Sequence, residues 1–207
     1  LMRTTRKIWL MGQALYIVLA TFLYLVFVMA STSLICMKNA FIGNLWSPTA
    51  VILSYSKAGE VIAVPATIKT MEMSTPYQCA AIIFLLMLLY ALLLVFLMLL
   101  FHLLKGQPGG VIAAFGFSIY GFLLNPETMK ILFHISDYES YKANVIVGWL
   151  SPLNHATFSM HNFGYDLLPT LWQSYLICGI LICICFGASL LVIQRYSFTF
   201  TGTQGGK

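Results

Sequence analysis

Apolar residues gather along this chain in long unbroken runs with short polar stretches between them. The longest run is Cys79 to Leu104, CAAIIFLLMLLYALLLVFLMLLFHLL, which holds no formal charge; only His102, near its end, can acquire one. A helix dissolved in water needs a polar face, and this one is apolar all round. At ~1.5 Å per residue it is long enough to cross a hydrocarbon core of ~30 Å. Three more segments read the same way. The first is 8–36, led by the interfacial Trp9 and interrupted only by Gln13 and the Ser31, Thr32, Ser33 run. The third is 109–124, near the lower length limit for a crossing. The last is 167–193, with Asp166 as its cap and Pro169 in its first turn.

The segments between the spans differ from one another. Lys105-Gly-Gln-Pro-Gly-Gly110 is a tight turn by composition. The 37–78 connection carries Trp46, Lys57, Glu60, Lys69 and Glu72 and is broken by Pro48, Pro65 and Pro76. It reads as an extracytoplasmic or interfacial excursion, because Lys57 and Glu60 sit in the middle of its most apolar part. Segment 125–166 starts at Asn125-Pro126. From Glu127 to Leu150, Ile131, Leu132, Ile135, Tyr138, Val145, Ile146 and Trp149 share one helical face, while Asp137, Ser140 and Asn144 fall on or near the other. That period predicts an amphipathic helix in an interface or a re-entrant element, broken by Ser151-Pro152. The expected fold is an all-α integral membrane protein: one transmembrane domain over 1–207, with four transmembrane helices and an outer amphipathic helical hairpin before the last span.

Composition sharpens this. Of 207 residues 60% are apolar and 8% charged, with a mean hydropathy of +0.88. Soluble domains carry roughly a quarter charged residues, so these few charges cannot coat a soluble core. The net charge of +5 does not point to nucleic acid, because the basic residues are scattered and flank apolar runs. Four spans place Arg3, Arg6, Lys7, Lys105, Arg195 and Lys207 on one side and all the acidic residues (Glu60, Glu72, Glu127, Asp137, Glu139, Asp166) on the other. The short basic ends and the Lys105 turn predict cytoplasmic termini in a multi-pass cell-membrane protein. Lys38, Lys130 and Lys142, in longer connections, oppose this weakly. Two stripes of small residues, Gly110, Ala114, Ser118 and Gly179, Cys183, Gly187, predict close helix packing or interfaces. Nothing in the first segment resembles a cleavable signal peptide.

The search for chemistry returns little. The P-loop, H-E-x-x-H and G-x-S-x-G signatures are missing from the sequence. No acidic or basic residue falls at mid-membrane depth, where a proton relay or ion path would place one. Of the five cysteines, Cys178, Cys183 and Cys185 read as small lipid- or helix-facing residues, while Cys36 and Cys79 fall near one membrane face, where a disulfide is conceivable. His155 and His161 with Asp166 could form an outer metal site, but their spacing sets them on no common helical face, and interfacial hydrogen bonding is the favoured reading. The chain is therefore not expected to be an enzyme by itself, to bind a cofactor or metal, or to bind nucleic acid.

The order of parts carries one resemblance. A basic lead-in, RTTRKIWLMGQ, opens a long span; a second long span and a short third follow across a tight turn; an outer hairpin ending in Ser151-Pro152-Leu153-Asn154-His155 precedes the last span. This layout resembles the later four spans of an ABC transporter permease of the type-2 exporter class, with Leu1 falling after a first pair of spans. The resemblance is one of layout, without a diagnostic motif. It implies cytoplasmic ATPase subunits that bind ATP and Mg, a second permease subunit facing this one in the bilayer, and export of an amphipathic, lipid-like or peptide cargo by alternating access. It implies coupling to the ATPase through Arg3, Arg6, Lys7 and Lys105, and an exit capped by the hairpin at Trp149, Pro152 and His155. The alternative is a non-transporting accessory, scaffold or immunity subunit that packs through its small-residue stripes.

Overall fold

The computed structural model describes residues 5–39, 43–56, 68–164 and 166–194. Arg3, Lys57, Glu60, Pro65, Arg195 and Lys207 lie outside these. The described residues form helices and turns, with no strand among them. Helix α1 (Arg6–Cys36) is followed by two short helices, α2 (Pro48–Tyr55) and α3 (Ile68–Met73). Helices α4 (Pro76–Lys105) and α5 (Gln107–Leu123) come next. The hairpin α6 (Pro126–Phe133) and α7 (Ser140–Leu150) leads through a one-turn helix, α8 (Pro152–His155), to α9 (Leu171–Val192).

Three of these, α1, α4 and α9, are long and apolar enough to cross a membrane; α5 and α6 make a fourth crossing if taken together, bent by 77° at Leu124-Asn125. The bend has a local cause. Leu124 turns extended, and the Asn125 side chain accepts from the Thr128 N–H at 2.7 Å and its hydroxyl at 2.8 Å, with Pro126 opening α6. A proline lacks the N–H that a continuous helix would use, so it fits best where a new helix begins.

Helix α4 is the mast of the bundle. Leu92, Leu93 and Phe96 on it meet Cys185 of α9 in a buried cluster joined by Ala14 and Ile17 of α1 and Phe117 of α5. Edge-on ring contacts, Phe22–Phe84 at 5.8 Å and Phe96–Phe186 at 5.9 Å, tie α1 and α9 to it. At one end Leu10, Leu103 and Ile193 pack together, and the Arg6 guanidinium donates to the Gln194 carbonyl at 2.5 Å. The start of α1, the end of α4 and the end of α9 therefore share one end, which also carries Lys7 and Lys105; we call it the basic end. At the other, Phe158 packs on Cys79 and Leu86 of α4. There the loop before α4 closes over its first turn: Trp46 Nε1 donates to the Ser74 carbonyl at 2.9 Å, and Tyr77 N–H to the Asn44 side chain at 3.1 Å.

Several expectations change on contact with the structure. The single amphipathic face over Glu127–Leu150 is split: α6 stops at His134, which is left-handed (φ 50°), and a short 3₁₀ turn at Asp137–Glu139 sends α7 back. The result is a helical hairpin around Met129, Ala143 and Val147. The last helix starts at Leu171, after both Asp166 and Pro169. Its cap is Thr170, in a reciprocal pair with Gln173 (2.8 and 3.3 Å). Cys36 and Cys79 are both free thiols, the first exposed and the second buried.

The two small-residue stripes have different surroundings. At Gly110 an added Cβ would lie 2.7 Å from the Met98 carbonyl oxygen of α4, so glycine there is required by the approach of two backbones; Ala114 and Ser118 follow it half-buried. Gly179 and Gly187 have nothing within 4 Å of such a Cβ, and Cys183 is exposed, so among the described residues nothing packs closely on their stripe. Gly110→Leu is accordingly expected to lower the stability of the purified protein by about 1–3 kcal/mol, the usual cost of overpacking. Gly179→Leu is expected to leave it unchanged; denaturant titration of both variants in the same micelle makes the comparison.

Candidate functional site

The chemistry of this chain concentrates where the hairpin returns to the bundle. The return loop runs from Ser151 to Thr170. It is anchored first at the C-terminal end of α5, where the buried Ser151 hydroxyl donates to the Gly121 carbonyl at 3.2 Å and an added Cβ on Gly121 would stand 3.3 Å from Leu153 Cβ. It is anchored again by Trp149, whose indole N–H donates to the Leu167 carbonyl at 3.0 Å. Asn162 N–H closes on the Pro169 carbonyl at 3.0 Å and pinches the loop shut.

Inside the loop sits a clasp of three side chains that the sequence leaves far apart. His155 Nδ1 and His161 Nε2 each lie 2.8 Å from the same atom, Ser174 Oγ, in the first turns of α9. The far nitrogens meet main-chain carbonyls: His155 Nε2 lies 3.0 Å from Trp149 O, and His161 Nδ1 3.2 Å from Phe158 O. His155 is 4% exposed; His161 and Ser174 are fully buried. Burial holds both imidazoles below their ordinary pKa, partly opposed by the carbonyls they meet. The Lys69 ammonium and His155 itself push His161 further the same way. Among the described residues only the Ser174 side chain hydrogen-bonds to both rings, so it is the pin on which the loop hangs from the last helix.

Beside the clasp, at the same end, is an open cavity of about 680 Å³. Tyr141, Asn125, Asn144, Asn154, Lys69 and Asp166 give it polar points on a largely apolar wall. Such a size suits a ligand of small-molecule dimensions. The Lys69 ammonium and Asp166 carboxylate are paired at its rim, joining α3 to the return loop, with the ammonium 5.6 Å from the Phe163 ring centre. Both partners are partly solvated, so the pair adds little stability, roughly 0–1 kcal/mol.

Of the residues singled out by sequence, Trp149, Pro152 and His155 are brought together here, Pro152 and His155 buried and Trp149 at the surface. His155 and His161 do converge, but on a serine; Asp166 turns to Lys69 instead of joining them. No group of three or more metal-ligating side chains occurs among the described residues. Arg6, Lys7 and Lys105 gather exposed at the opposite end. Ser174 and Lys69 were not anticipated. A serine in the first turn of a largely apolar helix was the available signal for Ser174. No protein-family model, curated protein or solved structure matches the chain.

Ser174→Ala removes the one hydrogen that the hydroxyl gives to the two rings, so one more buried ring nitrogen is left without a partner. Each orphaned buried polar group costs about 1–3 kcal/mol. Amide hydrogen exchange over residues 150–162 is therefore expected to rise by roughly 5- to 150-fold in this variant, with the α4–α5 amides unchanged.

Proposed function

We propose that the chain is a membrane-spanning permease subunit of an ATP-driven exporter of the ABC type-2 class, working in the cell membrane with its basic end in the cytosol. A separate cytoplasmic subunit hydrolyses ATP, and a second permease subunit completes the pathway. The observation that carries this reading is the third span: it bends by 77° into a helical hairpin whose return loop is locked to the final span, over a cavity open at the same end. Of this arrangement, the hairpin before the last span is the part that the layout resemblance calls for at a cargo exit. The cavity wall, largely apolar with scattered amides and hydroxyls and with its one lysine and one aspartate paired to each other, fits an amphipathic, lipid-like or peptide cargo better than an ion. At the other end, Arg6, Lys7 and Lys105 form the surface offered to the ATPase.

A second reading, a non-transporting accessory, scaffold or immunity subunit, is favoured by one observation. The Gly179, Cys183, Gly187 face of α9 is unoccupied by any other described residue, and a membrane partner could pack on it as readily as a permease copy.

The two readings separate on coupling. Lys7→Glu with Lys105→Glu reverses two exposed charges at the basic end without touching the core. For a permease, co-purification with its ATPase subunit and cargo-stimulated ATP turnover are expected to fall by about ten-fold, the equivalent of ~1.4 kcal/mol of lost contact. A scaffold would keep any complex it forms while ATP turnover stays the same with or without the chain.

A further inference from the structure

The His155–Ser174–His161 clasp holds a proton-counting problem, and it bears on how the return loop opens. Four contacts make the clasp, and each needs one hydrogen. The carbonyls of Trp149 and Phe158 only accept, so His155 Nε2 and His161 Nδ1 both carry hydrogen. Two neutral rings then turn bare nitrogens toward Ser174 Oγ, which has a single hydrogen to give. Three hydrogens serve four contacts. One added proton on either ring completes the set, since the imidazolium donates to Oγ while Oγ–H donates to the other ring.

A second added proton has no place. Both rings would donate to Oγ, its own hydrogen would lose its acceptor, and two cations would face one oxygen in a fully buried site. The closed clasp thus holds at most one added proton. The same two histidines in water take up two as the pH falls through ~6.5.

We propose that this clasp is an acid-released latch: it keeps the return loop closed on the final span at neutral pH and lets it go on acidification, when the second histidine takes up a proton that the closed arrangement cannot accommodate. The sign follows from linkage. At each pH below about 6.5 the released pair binds more protons than the latched pair, so lowering the pH favours release. The depressed affinity of both buried rings acts in the same direction: latching is fully present above the ordinary histidine value and is lost as the pH falls through the lower, buried one.

The neighbours do not reverse this. From α3, Lys69 faces His161 and opposes its protonation, while paired with Asp166 of the loop. From α4, Cys79 packs under Phe158; from α9, Tyr175 joins that cluster and Cys178 follows Ser174 by one turn. Thiols and phenols carry no charge in acid. The inference stands on this chain's own geometry and not on the transport reading, so either can fail alone.

The test uses the full chain in nanodiscs. The protein has four histidines, so His102 and His134 serve as internal references for imidazole NMR. Exchange at residues 150–162, corrected for the intrinsic pH dependence of amide exchange, reports release. Opening is expected to rise by about ten-fold per pH unit between roughly pH 6.5 and 5 for each proton by which the released pair exceeds the latched one. The second clasp ring should become protonated only as the loop opens. In His155→Asn/His161→Gln the pH dependence should vanish. If that variant does not fold, the wild-type titration decides by itself. Constant opening from pH 7 to 5, or two fully protonated rings in a loop that stays protected, would overturn the latch.

Discussion

In hydrocarbon a peptide group finds no water, so each N–H and C=O must be satisfied within its own helix or not enter at all. The architecture follows from this constraint. Apolar runs become helices long enough to cross, and the remaining backbone is pushed to the two ends, where caps, carbonyl pairs and side chains finish the hydrogen bonding. Helix α4, apolar on every face, then becomes the surface on which α1, α5 and α9 assemble, through Leu92, Leu93 and Phe96. Packing there depends on shape, because lipid tails are as apolar as the side chains. Gly110 against the Met98 carbonyl is one such close fit.

The same rule explains why the hairpin end carries the polar network. Once the chain leaves α5 at Asn125, it must place two short helices and a long loop over the ends of the spans without stranding polar atoms. Ser151 on the Gly121 carbonyl, Trp149 on the Leu167 carbonyl and the two histidines on the Trp149 and Phe158 carbonyls each give a main-chain group a partner. The loop is therefore held by directional bonds, and the bundle beneath it by apolar contact. Directional bonds respond to protons, whereas apolar contacts do not.

Much of the fold was legible from periodicity. The three long helices start and stop within a few residues of their apolar runs, and the turn after Lys105 is present but narrows to Gly106 alone, Gln107 to Gly110 already belonging to α5. The misplaced features have two causes: some depend on contacts between segments distant in sequence, others on a local cap or turn that apolar patterning does not mark. Asp166 reads as a cap from its position, yet Lys69, far upstream, takes it, and Thr170 caps α9 with Gln173. One apolar period over Glu127–Leu150 cannot reveal that His134 will turn left-handed and fold the period on itself. The clasp was the least visible of all, because its members sit in a one-turn helix, an irregular loop and an apolar span, and no common spacing links them.

The Arg6 guanidinium and the Gln194 carbonyl are separated by 188 positions in sequence. Their meeting sets an order on assembly during synthesis. Neighbouring helices such as α4 and α5 can pair as soon as both are made, but Leu10 and Leu103 wait for Ile193 until nearly the whole described chain has emerged. The half-built bundle must persist in the bilayer with one flank unsealed, and the closing step belongs to the final helix.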